Sequence, residues 1–166
     1  MTNLLVIIPC GQSKIWRKEP NHGPSKAKDA YIGPPFKVNK EFAEKFADKW
    51  MILSAKYGFI DPDFVIPADY NVTFKKPATN PISIDALKEQ IRKRNLQAFE
   101  NVIALGGKDY SSKVKLVFGQ SAKVYAPTQG FRLGIGMQRI NSLMKLGKAE
   151  MLKKVIEQNE RRRGFM

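Results

Sequence analysis

Four short stretches of the chain hold small, polar and cationic residues of the kinds that bind anions or move protons: "PCGQSK" (9–14), "LSAKYG" (53–58), "LGGKDY" (105–110) and "APTQG" (126–130). In the second stretch Ser54 and Lys56 stand two residues apart. In extended backbone both side chains fall on one side, and a Ser and Lys pair is a known combination of nucleophile and base. Lys56 suits an anion anchor equally well. Tyr57 and Phe59 suit either a stacking wall for a nucleobase or a cover for the edge of the core. Downstream stand Asp61, Asp63 and Asp69. Asp69 or Asp61 is a candidate for stabilising the positive sugar carbon that forms when a glycosidic bond breaks. Asp61-Pro62 and Asp63 also have the composition of a turn, whereas Asp69 precedes Tyr70 and an extended run.

In the third stretch Gly106 and Gly107 lead into Lys108 at the expected start of a helix. Bare backbone N–H groups there could cradle a phosphate or carboxylate, and a tight turn is the equal alternative. Neither the complete phosphate-binding loop nor the dinucleotide glycine pattern is present. Ser13 and Lys14 in the first stretch offer a hydroxyl and an ammonium to the same kind of ligand. Cys10 beside them reads better as a small buried residue than as a nucleophile, since His22 is the one histidine that could act as its base. One cysteine and one histidine exclude a disulfide framework and a Cys/His zinc site within one chain. No metal and no cofactor is expected, with a carboxylate-bound magnesium as the alternative that this count leaves open.

The elements that must position these stretches are legible as patterns. Leu4 to Pro9, Trp50 to Leu53, Asn101 to Leu105 and Ala122 to Ala126 are short apolar runs of the type found in strands covered on both faces. Helical spacing follows from Pro35 (Phe42, Ala43, Phe46), from a cap at Ser83 (Ile84, Leu87, Ile91), from Lys108 to a stop at Gly119, and around Met137, Ile140 and Met144. A last, basic helix carries Met151, Leu152, Val155 and Ile156. Residues 10–34 and 58–82 read as long irregular loops.

The alternation predicts one α/β domain over 1–166. Its Rossmann-like layered sheet has about four mainly parallel strands, helices on both faces and C-terminal basic helices at about 131–163. In such sheets ligands bind beyond the carboxyl ends of the strands, where all four stretches converge.

With 29 Lys and Arg against 15 Asp and Glu, the net charge of +14 exceeds what solubility needs and points to a polyanionic partner, nucleic acid or nucleotide first. The longest apolar run is Leu4 to Ile8, far short of a bilayer span, and no signal-peptide pattern opens the chain. The sequence therefore reads as cytoplasmic, with no membrane partner.

"PCGQSK", "AYIGPPFK", "ILSAKYGFIDPDFVIPADYNVTF" and "ALGGKDY", in that order, resemble an uncharacterised bacterial and phage domain family marked by Ser-Ala-Lys-Tyr-Gly. That family is distantly similar to the YaaA peroxide-stress proteins and more faintly to a domain of archaeosine synthase. The resemblance runs from about residue 4 to residue 110 and implies a basic cleft with a nucleic-acid or nucleobase connection. It marks Ser13, Lys14, Tyr31, Gly33, Phe36, Ser54, Tyr57, Gly58, Asp69, Gly106 and Gly107. The order of Asp69 and Tyr70 is reversed relative to the relatives.

These readings converge on an enzyme acting at a nucleobase or its N-glycosidic bond. Asp69, Asp61, Lys56 and Ser54 are its catalytic candidates. Ser13, Lys14, Tyr31, Tyr57, Gly58, Gly106, Gly107 and Lys108 are the candidates for substrate and anion contact. The alternatives are a non-catalytic basic module that coats nucleic acid, and a small-molecule hydrolase using Ser54 and Lys56.

Overall fold

The computed structural model describes residues 3–164. Strand β1 (Leu4–Pro9) is followed by a connection holding two four-residue helices, α1 (Ile15–Lys18) and α2 (Ala27–Ala30), with the short strand β2 (Ser25–Lys26) between them. Helix α3 (Pro34–Phe46) then leads to β3 (Lys49–Ser54), which turns back into β4 (Gly58–Ile60), and β5 (Val65–Ile66) follows. The rest of the chain is α4 (Ile84–Lys93), β6 (Asn101–Ala104), α5 (Lys108–Phe118), β7 (Lys123–Tyr125), α6 (Leu133–Met144) and α7 (Lys148–Gly164).

Five strands form one sheet in the order β4-β3-β1-β6-β7. β3, β1, β6 and β7 are parallel, and β4 runs antiparallel at the edge. The four parallel strands are the four apolar runs of the sequence. Alternate residues of β1 serve two cores, as the twofold repeat of a strand requires. Leu4, Val6 and Ile8 pack with Phe42 and Phe46 of α3, Ile140 and Leu143 of α6, and Met151 and Val155 of α7. Leu5 and Ile7 pack on the other face with Leu87 of α4 and Val114 and Phe118 of α5. Helices therefore cover both faces of the sheet.

Both expected helix caps of the middle region are present, one at a start and one at a stop. Ser83 Oγ accepts the Ala86 N–H at 3.1 Å, and Gly119 ends α5 at a φ of 57°.

The two long loops are more ordered than their composition suggests. Residues 58–60 pair with β3, because Phe59 and Ile60 each fill one of the two cores. The turn between the strands is fixed by Gln90, whose Nε2 donates to Tyr57 O at 2.9 Å and whose Oε1 accepts the Phe59 N–H at 2.8 Å. Gly58 has a φ of 77°, and a Cβ there would lie 2.2 Å from Gln90 Oε1. β2 and β5 form a second, two-stranded antiparallel sheet that ties residues 10–34 to residues 60–70.

Asp48 joins the ends of the chain's packing: its Oδ2 accepts the Leu4 N–H at 2.7 Å and the Lys148 ammonium at 3.1 Å. The Leu4 amide first, then Lys148, holds this carboxyl below the usual aspartate range.

Two stability predictions follow from these contacts. Gly58→Ala should cost more than about 1 kcal/mol, exceeding the roughly 1 kcal/mol expected when Ser83→Ala removes a cap; urea midpoints of the two variants compare them. A depressed folded pKa gives stability that is complete above the unfolded aspartate value and lost as pH falls through the folded one. Asp48→Asn should therefore flatten the acid limb of the melting-temperature profile, and an unaltered limb would show that the tether contributes nothing.

Candidate functional site

The first loop becomes ordered through its own buried groups. Trp16 is buried and its Nε1 donates to Gly23 O at 2.7 Å, which closes residues 16–23 on themselves. The Ala27 and Lys28 N–H groups donate to Phe64 O and Pro62 O. Lys14 and Tyr31 form an antiparallel bridge, and the Ile32 N–H donates to Ser13 O at 2.9 Å. These bonds lay residues 10–34 across the segment that leads to Tyr70, at the carboxyl end of β3.

A chain of three buried hydroxyls results. Ser54 Oγ accepts the backbone N–H groups of Lys56 and Tyr57, each at 3.2 Å, which uses both of its lone pairs. Its own proton is therefore directed to Tyr70 Oη, 3.0 Å away. Tyr70 Oη and Tyr31 Oη lie 2.5 Å apart and share a second proton, so one phenolic proton of this pair is left over to donate. Burial pushes both phenols above the ordinary tyrosine range, so both remain protonated at neutral pH.

Lys14 lies against this chain. Only 5% of it is exposed, and its ammonium sits 4.5 Å from the centre of the Tyr70 ring. Among the described residues no hydrogen-bond acceptor or carboxylate pairs with that ammonium. Burial lowers its pKa from the ordinary lysine value, with Cys10 and Asp69 opposing the shift. The ring face satisfies the charge in part and leaves the N–H groups unspent.

Lys14 and Tyr70 border a cleft of about 340 Å³. Cys10, Gln12 and Arg17 line one side, and Thr73, Phe74, Lys75 and Lys76 line the other. Asp109 and Tyr110, in the first turn of α5, close it. The cleft lies where the strand order reverses between β1 and β6, the usual ligand position in an open α/β sheet. Cys10 Sγ and Tyr110 Oη are 3.4 Å apart. The Phe74 and Tyr110 rings meet edge to face at 5.6 Å, with the Lys113 ammonium 4.6 Å from the Phe74 ring. One wall is thus aromatic and most of the rim is cationic. The volume falls within the range of small-ligand pockets.

The structure brings some of the expected site residues together and separates others. Lys14, Tyr31 and Ser54 join in one cluster, with the exposed Lys56 above it, its ammonium 5.6 Å from the Tyr70 ring. Ser54 and Lys56 do not form a nucleophile and base pair: Ser54 is fully buried, and it meets the backbone N–H of Lys56 instead of the ammonium. Tyr57 packs its ring against Phe64 and Tyr70 and does not line the cleft. Gly58 serves the β3–β4 turn. Ser13 is exposed and contributes a backbone carbonyl.

Gly106, at a φ of 99°, is pressed against Pro9, and its N–H donates to Thr128 Oγ1 at 3.2 Å. Gly106 and Gly107 border a separate hollow of about 100 Å³ beside the cleft, and Lys108 is exposed at the start of α5. Asp69 is exposed at the cleft margin and spends Oδ1 on the Tyr70 N–H at 2.8 Å. Asp61 is carried to the opposite end of the sheet by the reversal of β4. It pairs there with Arg94 at 3.0 Å and Lys49 at 3.6 Å. Tyr70, Phe74, Lys75, Lys76, Asp109 and Tyr110 line the cleft without having been candidates. The only sequence signal for them was the position of Asp109 and Tyr110 just past the third strand.

Among the described residues no helix is long and apolar enough to cross a membrane, and no group of three His, Cys, Asp or Glu side chains could hold a metal ion.

The chain is similar to the uncharacterised protein YfjM of Bacillus subtilis (strain 168), at 36% identity over 138 residues that span 82% of this chain and 92% of YfjM. No solved structure matches it. The matched pattern runs through residues 5–142, and the chain belongs to DUF6884, a family of unknown function.

Proposed function

We propose that the protein binds a nucleotide, free or as a unit of a nucleic acid, in the cleft between the ends of β1 and β6, and acts at its base or N-glycosidic bond. The observation that carries this reading is Lys14, a residue only 5% exposed whose ammonium borders that cleft with no ion-pair partner among the described residues. A partly desolvated cation without a carboxylate is stabilised when an anion enters, and Arg17, Lys75 and Lys76 add the charge that a phosphate requires.

The Phe74 and Tyr110 wall suits the ring of a base, and Gln12 and Asn71 suit its polar edge. Asp109, the carboxylate among the lining residues, takes the role first considered for Asp69 and Asp61, stabilising positive charge on the sugar. The +14 net charge and the signature likeness to YaaA-type proteins support the same ligand class. The non-catalytic alternative shares the phosphate contacts and dispenses with Asp109.

The test is equilibrium binding of nucleoside monophosphates to the wild type and to Lys14→Met, followed by assays for free base released from nucleosides, DNA and RNA. Losing one charge-assisted contact of roughly 1.5–3 kcal/mol should weaken binding about 10- to 150-fold. Asp109→Asn should leave affinity within about threefold and abolish base release. Undiminished binding by Lys14→Met would sink the reading. Base release unaltered in Asp109→Asn would remove Asp109 from the chemistry.

A further inference from the structure

Three further hollows follow one another, the first set apart from the cleft by the Gly107–Asp109 segment. Gly107 borders the small hollow with Phe131 and Arg132, two residues before Asp109 borders the cleft itself. Phe131 also borders a groove of about 540 Å³ that holds Arg139, Lys154, Arg161 and Arg162. Arg162 in turn borders a groove of about 600 Å³ along β7, where Lys115, Lys123 and Arg163 stand over the open edge of the sheet. Neighbouring hollows thus share Phe131 and then Arg162. Glu157 is the single carboxylate among their lining residues.

We propose that the ligand is a polynucleotide strand, and that from the nucleotide held in the cleft the strand continues along this cationic track, past Phe131 and Arg162, to the edge of β7. The inference rests on the nucleotide reading of the cleft and names its substrate class.

Several features distinguish the track from an ordinary solvated basic face. Arg162 is fixed: its two terminal nitrogens donate to Ala126 O at 3.1 Å and Gln129 O at 2.9 Å, and its guanidinium lies 5.9 Å from the Phe131 ring. Lys154, Arg161 and Arg163 have no ion-pair partner among the described residues. Burial, and then the charges of Arg162 and Arg163, holds the Lys115 ammonium below the ordinary lysine range. Such crowding is relieved by a polyanion.

Apolar surface lies on the same path. Phe131 and Leu133, which border these hollows, are 41% and 66% exposed. An aromatic ring beside a fixed guanidinium is a platform on which a base can stack, whereas an acidic peptide has no use for it.

The experiment compares a nucleoside monophosphate with single-stranded oligonucleotides of increasing length, over a salt series. It uses the full chain, Lys14→Met and the triple variant Lys154→Gln, Arg161→Gln, Arg163→Gln. Affinity should rise with length until the track is filled. The triple variant should lower the log–log salt slope by about 2, at roughly 0.7 for each lost phosphate contact, while its affinity for the monophosphate stays unchanged. Length-independent affinity, a wild-type slope in the triple variant, or competition by poly-glutamate equal to that by oligonucleotide would overturn the proposal. Failure of the cleft reading is seen separately, as monophosphate binding insensitive to Lys14→Met.

Discussion

The Lys14 side chain is largely buried, and at the border of the cleft its ammonium has the face of Tyr70 where a carboxylate would be the more stabilising neighbour. Cation–π attraction of about 0.5–2 kcal/mol recovers only part of what partial dehydration of an ammonium costs. The position is held because the surroundings over-determine it. Ser54, anchored by two backbone N–H groups, sets Tyr70; Tyr70 sets Tyr31; and Tyr31 bridges to the backbone of Lys14. The cluster draws on four segments of the chain, and each is fixed by backbone pairing or by a buried hydroxyl. A carboxylate at the same spot would satisfy the charge and spend the N–H groups that an incoming phosphate needs.

The parallel sheet explains why this happens at one edge. β1 and β6 are central, so their carboxyl ends lie between the two helical layers and open a crevice where successive connections diverge. The antiparallel β4 reverses the chain, and that reversal divides the downstream carboxylates: Asp61 goes to the far end of the sheet, while Tyr70 and Asp69 return to the near end. The two-stranded β2–β5 sheet makes the return possible by tying two loops together.

Much of the frame was legible in the sequence because its physics is local. A strand buried on both faces shows as a continuous apolar run, and Ser83 and Gly119 act on backbone within one turn of themselves. β4 carries no local signal because three residues that begin with Gly58 and run into Asp61-Pro62 give no periodicity, and its stability comes from Phe59 and Ile60 filling cores assembled from elsewhere. In the site, Lys14 was legible as a polar residue past a buried strand. Tyr70 was not, since its role depends on pairing between residues 25–26 and 65–66, which no local pattern announces. Ser54 illustrates the converse: spacing two residues from Lys56 suggested chemistry, and burial assigns it to architecture.

The central claim is that the Lys14 ammonium is kept unspent for a phosphate. A crystal structure of the protein with a nucleoside monophosphate tests this most directly. The account predicts a phosphate oxygen within hydrogen-bond distance of Lys14 Nζ, between Arg17 and the Lys75–Lys76 segment, with the base against Phe74 and Tyr110. A nucleotide seated elsewhere, with the Lys14 ammonium still facing only the Tyr70 ring, would contradict it.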